Sequence, residues 1–217
     1  MNNGLLSRLV GFVQYVVRYG VYLRKLTASK VYFVISRKCL TKYDNALTAV
    51  KINGDVVIVD CVETYNELVT RGVDFSEYPQ TEDIELGLQS GAILFCFLVD
   101  DTLAHTSWLS FDCKGAVYDS IFNQYELPNG AYLGPCNTYH GYKGLGIYPH
   151  VISKICIHLK SMGKLYAYIN TRSTNASSLR GIEKAMFVPC ASVKRSLLFG
   201  RVTSELSFYD NCDESTK

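Results

Sequence analysis

Lys143, Gly144 and Gly146 belong to a short run, Lys-Gly-Leu-Gly-Ile-Tyr, whose residue types suit the binding of an anion. The two glycines let the backbone approach a phosphate with no Cβ in the way, and Lys143 adds a positive charge. An apolar stretch over residues 131–133 and 136–139 leads into the run. An apolar-periodic segment follows it, opening at Pro149 and carrying Val151, Ile152, Ile155, Cys156, Ile157 and Leu159. Strand, glycine loop and helix in that order aim several N–H groups and the positive end of a helix dipole at one point. Pro149 suits a first helical turn, where its missing N–H costs nothing. The competing reading is an ordinary strand-to-helix turn. The spacing is not the Gly-x-Gly-x-x-Gly of dinucleotide folds, nor a phosphate loop with its lysine after the glycines.

Other side chains could do proton or acyl chemistry. His105 lies in an apolar stretch, and a histidine's ordinary pKa near ~6.5 suits a general base at neutral pH; a hydrogen-bonded core histidine is the alternative. His140 sits in the loop, where phosphate contact and chemistry are both open to it. Cys136 has no histidine partner evident in the sequence, which argues against a thiol nucleophile. The eight cysteines stand singly, without metal-ligand spacing. That pattern disfavours structural zinc and fits a reducing, cytoplasmic setting better than a disulfide framework.

The loop resembles the acyl-CoA pyrophosphate loop of the GNAT N-acetyltransferase superfamily, Arg/Gln-x-x-Gly-x-Gly/Ala. Lys143 takes the Arg/Gln position, Gly146 the central glycine, and Tyr148 replaces the last Gly/Ala. A second block, Asn175-Ala-Ser-Ser178 followed by Glu183-Lys184-Ala-Met-Phe187, resembles the family's Asn-x-x-Ser/Ala…Tyr-Glu-Lys-x-Gly-Phe segment. The resemblance covers about residues 90–190. It implies an α+β fold with three α/β/α layers: a mixed, mostly antiparallel central sheet, flanking helices, and a splayed strand pair that admits coenzyme A.

It further implies an acyl-CoA-dependent N-acyltransferase, with acetyl-CoA as donor, no metal, and a small-molecule amine as acceptor. The family's cofactor contacts carry over to Asn137, Thr138, Tyr139, Lys143, Gly144, Leu145, Gly146, Ile147, Tyr148, Asn175 and Ser178. A backbone N–H near Asn137 would receive the oxyanion, and His105 would serve as base. The family's general-acid tyrosine aligns with Ile182, which cannot donate a proton. The details look most like the branch associated with surface-polysaccharide synthesis, implying an amino sugar nucleotide as acceptor. A non-catalytic acyl-CoA-binding scaffold, with or without membrane contact, is the alternative.

These groups need elements to hold them. Strands are expected over 31–35, 92–99, 103–111, 131–139 and 165–169, with a final pair over 187–193 and 197–208. Helices are expected over 64–71 with Thr64 as cap, over 83–88, after Pro149, and over 176–184 with Asn175 as cap. Residues 119–127 read as helical or irregular. Asn53-Gly54 is a strong hairpin signal, expected to join two short strands within 51–60. Residues 3–23 read as an amphipathic helix, docked on the domain or lying on an anionic membrane as a peripheral contact. The expected division is 1–45, a basic helix and first strand; 46–210, the acyltransferase-like domain; and 211–217, a polar tail. Hydrophobic content of 48% and charged content of 19% fit a globular chain. A net charge of +2 offers no basic field for nucleic acid. Residues 1–43 nevertheless hold eight basic side chains and no acidic one. The oligomeric state is not legible.

Overall fold

The structure, a computed structural model, describes residues 29–42, 47–76, 82–111, 129–198 and 201–209. Its strands are β1 (Ser29–Cys39), β2 (Asp55–Val59), β3 (Ile93–Val99), β4 (Thr102–Ser110), β5 (Gly130–Thr138), β6 (Tyr166–Arg172), β7 (Val188–Leu198) and β8 (Arg201–Phe208). Its helices are α1 (Val62–Thr70), α2 (Glu82–Gln89), α3 (Ile147–Ser161) and α4 (Ala176–Lys184). The strands form one sheet in the order β2-β3-β4-β5-β6-β1-β7-β8. Every neighbouring pair is antiparallel except β5 and β6, which run parallel.

Both faces of this sheet are covered. Against one face pack Val151, Ile152, Ile155 and Leu159 of α3 with Ile182 of α4. Against the other lie Leu68 of α1 and Ile84 and Leu88 of α2. Strands buried on both faces read as continuous apolar runs rather than alternating ones, and β3 (Ile-Leu-Phe-Cys-Phe-Leu-Val) does so. The turn from β3 to β4 places Asp100 and Asp101 at φ 47° and 59°, the left-handed geometry of a tight hairpin. The mixed three-layer architecture is therefore the one expected.

Local expectations held unevenly. Asn175 caps α4, its Oδ1 accepting the Ser178 N–H at 3.1 Å. The cap of α1 is Cys61 rather than Thr64 and its side chain bonds no helix amide, so the helix starts earlier than its capping-box pattern indicated. No hairpin forms at Asn53-Gly54. A Cβ at Gly54 would come within 2.4 Å of the Leu98 carbonyl oxygen and 2.5 Å of the Phe97 ring, so this glycine serves close packing instead of a turn. The strand expected over 31–35 is β1, which is longer and pairs with both β6 and β7. The expectations for 3–23, 119–127 and 211–217 fall outside the described residues.

Candidate functional site

The sheet opens at its one parallel pair. Residues of β5 and β6 face each other from Gly130↔Tyr166 to Leu133↔Ile169, and there the pairing stops although both strands continue. At that point Gly134 takes φ 133°, Gly134-Pro135 is a cis peptide, and the register between β4 and β5 shifts between Ser107 and Leu109. Proline cannot donate to a ladder, so its place in β5 fits the end of pairing. Beyond the split the N–H of Tyr139 donates to the Ala104 carbonyl at 3.1 Å. Alternation along an antiparallel ladder then turns the Asn137 N–H toward β4 as well, and the N–H groups of Cys136 and Thr138 toward the gap. The backbone donors that face the gap are thus those of Cys136 and Thr138 rather than that of Asn137.

On the α3 side of the gap lies a cleft of about 530 Å³. Cys136, Asn137 and Thr138 form one wall, the loop from Lys143 to Gly146 with the first turn of α3 a second, and α4 the third. Gly146 caps α3 at φ 84° with no side-chain hydrogen bond to the helix amides. Three cations line the cleft, Lys143, Arg180 and Lys184, and no carboxylate does among the described residues. Neither Arg180 nor Lys184 was expected as a contact from the sequence, Lys184 standing only within the second motif block. With Ser177 and Gly181 they recur at i, i+3, i+4 and i+7 on α4, a single helical face; that spacing was the available signal.

A second cavity, about 340 Å³, lies across the gap and is lined by Phe33, Tyr132, Asn170 and Arg172 among others. Cys136, Tyr148, Asn175 and Ser178 line both spaces and so form the throat between them. The Tyr148 hydroxyl lies 3.3 Å from Ser178 Oγ. Its ring packs on Gly181, where a Cβ would come within 2.4 Å. Burial pushes the Tyr148 phenol above its ordinary pKa, so it holds its proton at neutral pH. Burial likewise pushes the Cys136 thiol up to about 12, which leaves little thiolate for nucleophilic attack.

Other expected contacts divide. Asn137, Thr138, Lys143, Gly144, Gly146, Ile147, Tyr148, Asn175 and Ser178 all line the cleft. Leu145 instead gives its carbonyl to the Lys51 N–H at 2.9 Å. Tyr139 faces a separate cavity of about 300 Å³, shared with His140, Asp74 and Asp101. Gly146 also serves the fold. Its absent Cβ would sit 2.8 Å from the Ala49 carbonyl oxygen, so the missing side chain makes room for residues 49–50. That segment is fastened along α3, with His150 Nδ1 donating to the Thr48 carbonyl at 2.7 Å.

His105 does not line the cleft or either cavity. It is fully buried in β4, Nδ1 lying 2.7 Å from Thr138 Oγ1 and Nε2 2.7 Å from Ser107 Oγ. A neutral imidazole donates from one nitrogen and accepts at the other, so both are committed. Burial lowers its pKa from 6.5 to about 3. So weak a base, out of reach of the cleft, is poorly suited to take a substrate proton; its geometry serves to hold Thr138 at the gap. Because the unfolded chain binds a proton that the buried ring refuses, this group's contribution is complete above pH 6.5 and falls from there toward pH 3. The expected slope is about 1.4 kcal/mol per pH unit. Urea midpoints taken between about pH 7 and pH 5 should fall more steeply in the parent than in His105→Gln; parallel curves would show that His105 is not responsible.

No protein-family model matches the chain, and no curated protein does. Among solved structures, it is similar to a GCN5-related glucosamine N-acetyltransferase region of a fungal multi-domain GH3 beta-N-acetylglucosaminidase. That match has 12% identity and a TM-score of 0.51, over 82% of this chain and 22% of the other. The fold is GNAT-like. A functionally unknown conserved protein from Staphylococcus epidermidis matches at 7% identity and a TM-score of 0.50, over 82% of this chain and 65% of its own. A GNAT-family acetyltransferase from Novosphingobium aromaticivorans matches at 14% identity and a TM-score of 0.49, over 83% and 66%. This chain therefore spans about two thirds or less of each of these proteins. The parting of β5 from β6 supplies the splayed strand pair that the sequence resemblance implied.

Proposed function

We propose that the chain is an acyl-CoA-dependent N-acyltransferase, with acetyl-CoA as the donor. The observation that carries this reading is the join of two features at one throat: a strand pair that parts, and a cleft holding three cations and a bare helix N-terminus. Lys143, Arg180 and Lys184 suit the phosphates of coenzyme A, and the N–H groups of Cys136 and Thr138 suit a carbonyl oxygen in the gap. Acetyl-CoA would supply an acyl group on a thioester whose thiol is a tolerable leaving group.

In this reading the chain's own residues position and stabilise more than they react. Cys136 and Thr138 offer preorganised donors where negative charge would develop on the carbonyl oxygen. The amine would attack directly from the second cavity, since the Cys136 thiol is held protonated. Ile182 is buried and apolar, so the proton source falls to Tyr148, a protonated phenol in the throat. Tyr148→Phe is expected to lower turnover about tenfold to a hundredfold while leaving the CoA dissociation constant unchanged. Unchanged turnover would remove Tyr148 from the reaction.

The finer acceptor, an amino sugar in surface-polysaccharide synthesis, rests on the likeness of the two sequence blocks. The glucosamine activity named for the fungal region belongs to that protein. The buried Ile182 favours a second reading, a CoA-binding scaffold without turnover. Release of free thiol from acetyl-CoA in the presence of amines, read beside calorimetric CoA binding, separates the two. We place the chain in the reducing cytoplasm, with residues 3–23 either docked on the domain or lying on an anionic membrane; sedimentation with anionic vesicles, with and without that segment, separates the two.

A further inference from the structure

Asn170 stands one residue past the point where β6 parts from β5. Its Oδ1 accepts the Tyr132 hydroxyl proton at 3.3 Å. Its Nδ2 is buried and has no hydrogen-bond partner among the described residues. A buried donor left unpaired is destabilising, and Asn170 lines a cavity from which a small side-chain turn would let an acceptor atom reach it. Asn170 and Arg172 are alternate residues of one strand and share a face. Both line the 340 Å³ cavity, to which no carboxylate contributes among the described residues.

We infer that this cavity takes a compact amine whose own molecule carries an oxyanion, read by the Asn170 amide and the Arg172 guanidinium. This deepens, and rests on, the acyltransferase reading: it names the acceptor's class. The chemistry follows from what the walls lack and supply. With no anion to hold a second cation, the cavity disfavours polyamines and peptide lysines flanked by basic residues. A guanidinium and an amide donor together match a carboxylate or phosphate, which accept several hydrogen bonds. Phe33 and Tyr132 offer apolar surface for the carbon frame. The volume is at the small end of ligand sites (about 300–1,000 Å³), which suits a single ring or an amino acid.

The test is calorimetric titration of the full chain, with and without CoA, using glucosamine 6-phosphate, β-alanine and glucosamine as probes. The two oxyanion-bearing amines should bind at least about tenfold more tightly than glucosamine, and their ranking distinguishes phosphate from carboxylate. Arg172→Gln and Asn170→Ala should each remove about tenfold of that preference, with CoA affinity within about twofold of the parent. Arg172 is exposed, so its replacement leaves the core intact, and a thermal melt checks this. Probes that bind equally, or not at all, overturn the inference, as does a preference that survives both substitutions. Oxyanion preference in a protein that binds no CoA would support the cavity's assignment and overturn the acyltransferase reading alone.

Discussion

Reversing two charges together, Arg180→Glu with Lys184→Glu, is expected to weaken CoA binding about a thousandfold. Each cation facing a phosphate is worth about 1.5–3 kcal/mol as a charge-assisted contact, and each reversal adds repulsion to that loss. Both side chains are exposed on α4, so the variant should melt near the parent temperature and the loss should be confined to binding. Because the contacts are solvent-facing, parent affinity should itself fall as salt rises, and the variant's should depend on salt much less. Calorimetry at low and moderate ionic strength reads both effects. A dissociation constant within about threefold of the parent would mean that phosphates do not lie along this face of α4, and the cleft would lose its assignment.

Gly146→Ala should act on the fold first. At φ 84° any side chain is strained, and the added Cβ would stand 2.8 Å from the Ala49 carbonyl oxygen, a backbone atom that cannot swing aside. Left-handed strain of about 1–2 kcal/mol together with displacement of residues 48–51 gives an expected destabilisation of about 2–4 kcal/mol. Gly144→Ala is the matched comparison. It has a similar φ of 81°, but nothing stands within 4 Å of a Cβ there, so about 1 kcal/mol should be lost. Urea midpoints at constant slope measure the difference. If the two variants are equally stable, the 48–51 segment does not brace the loop as described.

This contrast also shows where local sequence was informative. The glycine loop, the α3 helix behind it and the Asn175 cap were legible because each depends on neighbours within a few positions. What Gly146 faces was not, since Ala49 lies almost a hundred positions away in the chain. Arg180 and Lys184 look like a solvated helix face until α4 is set beside Lys143. His105 was read as a base because a histidine ordinarily titrates near neutral pH, with a core role as the alternative. Only a sheet covered on both sides, which buries it between Thr138 and Ser107, makes it a core group. Asn53-Gly54 carried the right pair for a turn, but the packing of Gly54 on Phe97 and Leu98 took precedence.

The position of β1 between β6 and β7 bears on how the molecule is made. Ser29–Cys39 is synthesised before either strand that borders it, the one opening at Tyr166 and the other at Val188. Until those partners are made the segment has neither of its sheet neighbours, a long-range closure that slows folding and leaves edges open to wrong partners. Fragments that begin after residue 40 would lack the strip joining the β7–β8 hairpin to the rest. An expression strategy for this chain should therefore retain that early segment and favour slow, cool synthesis.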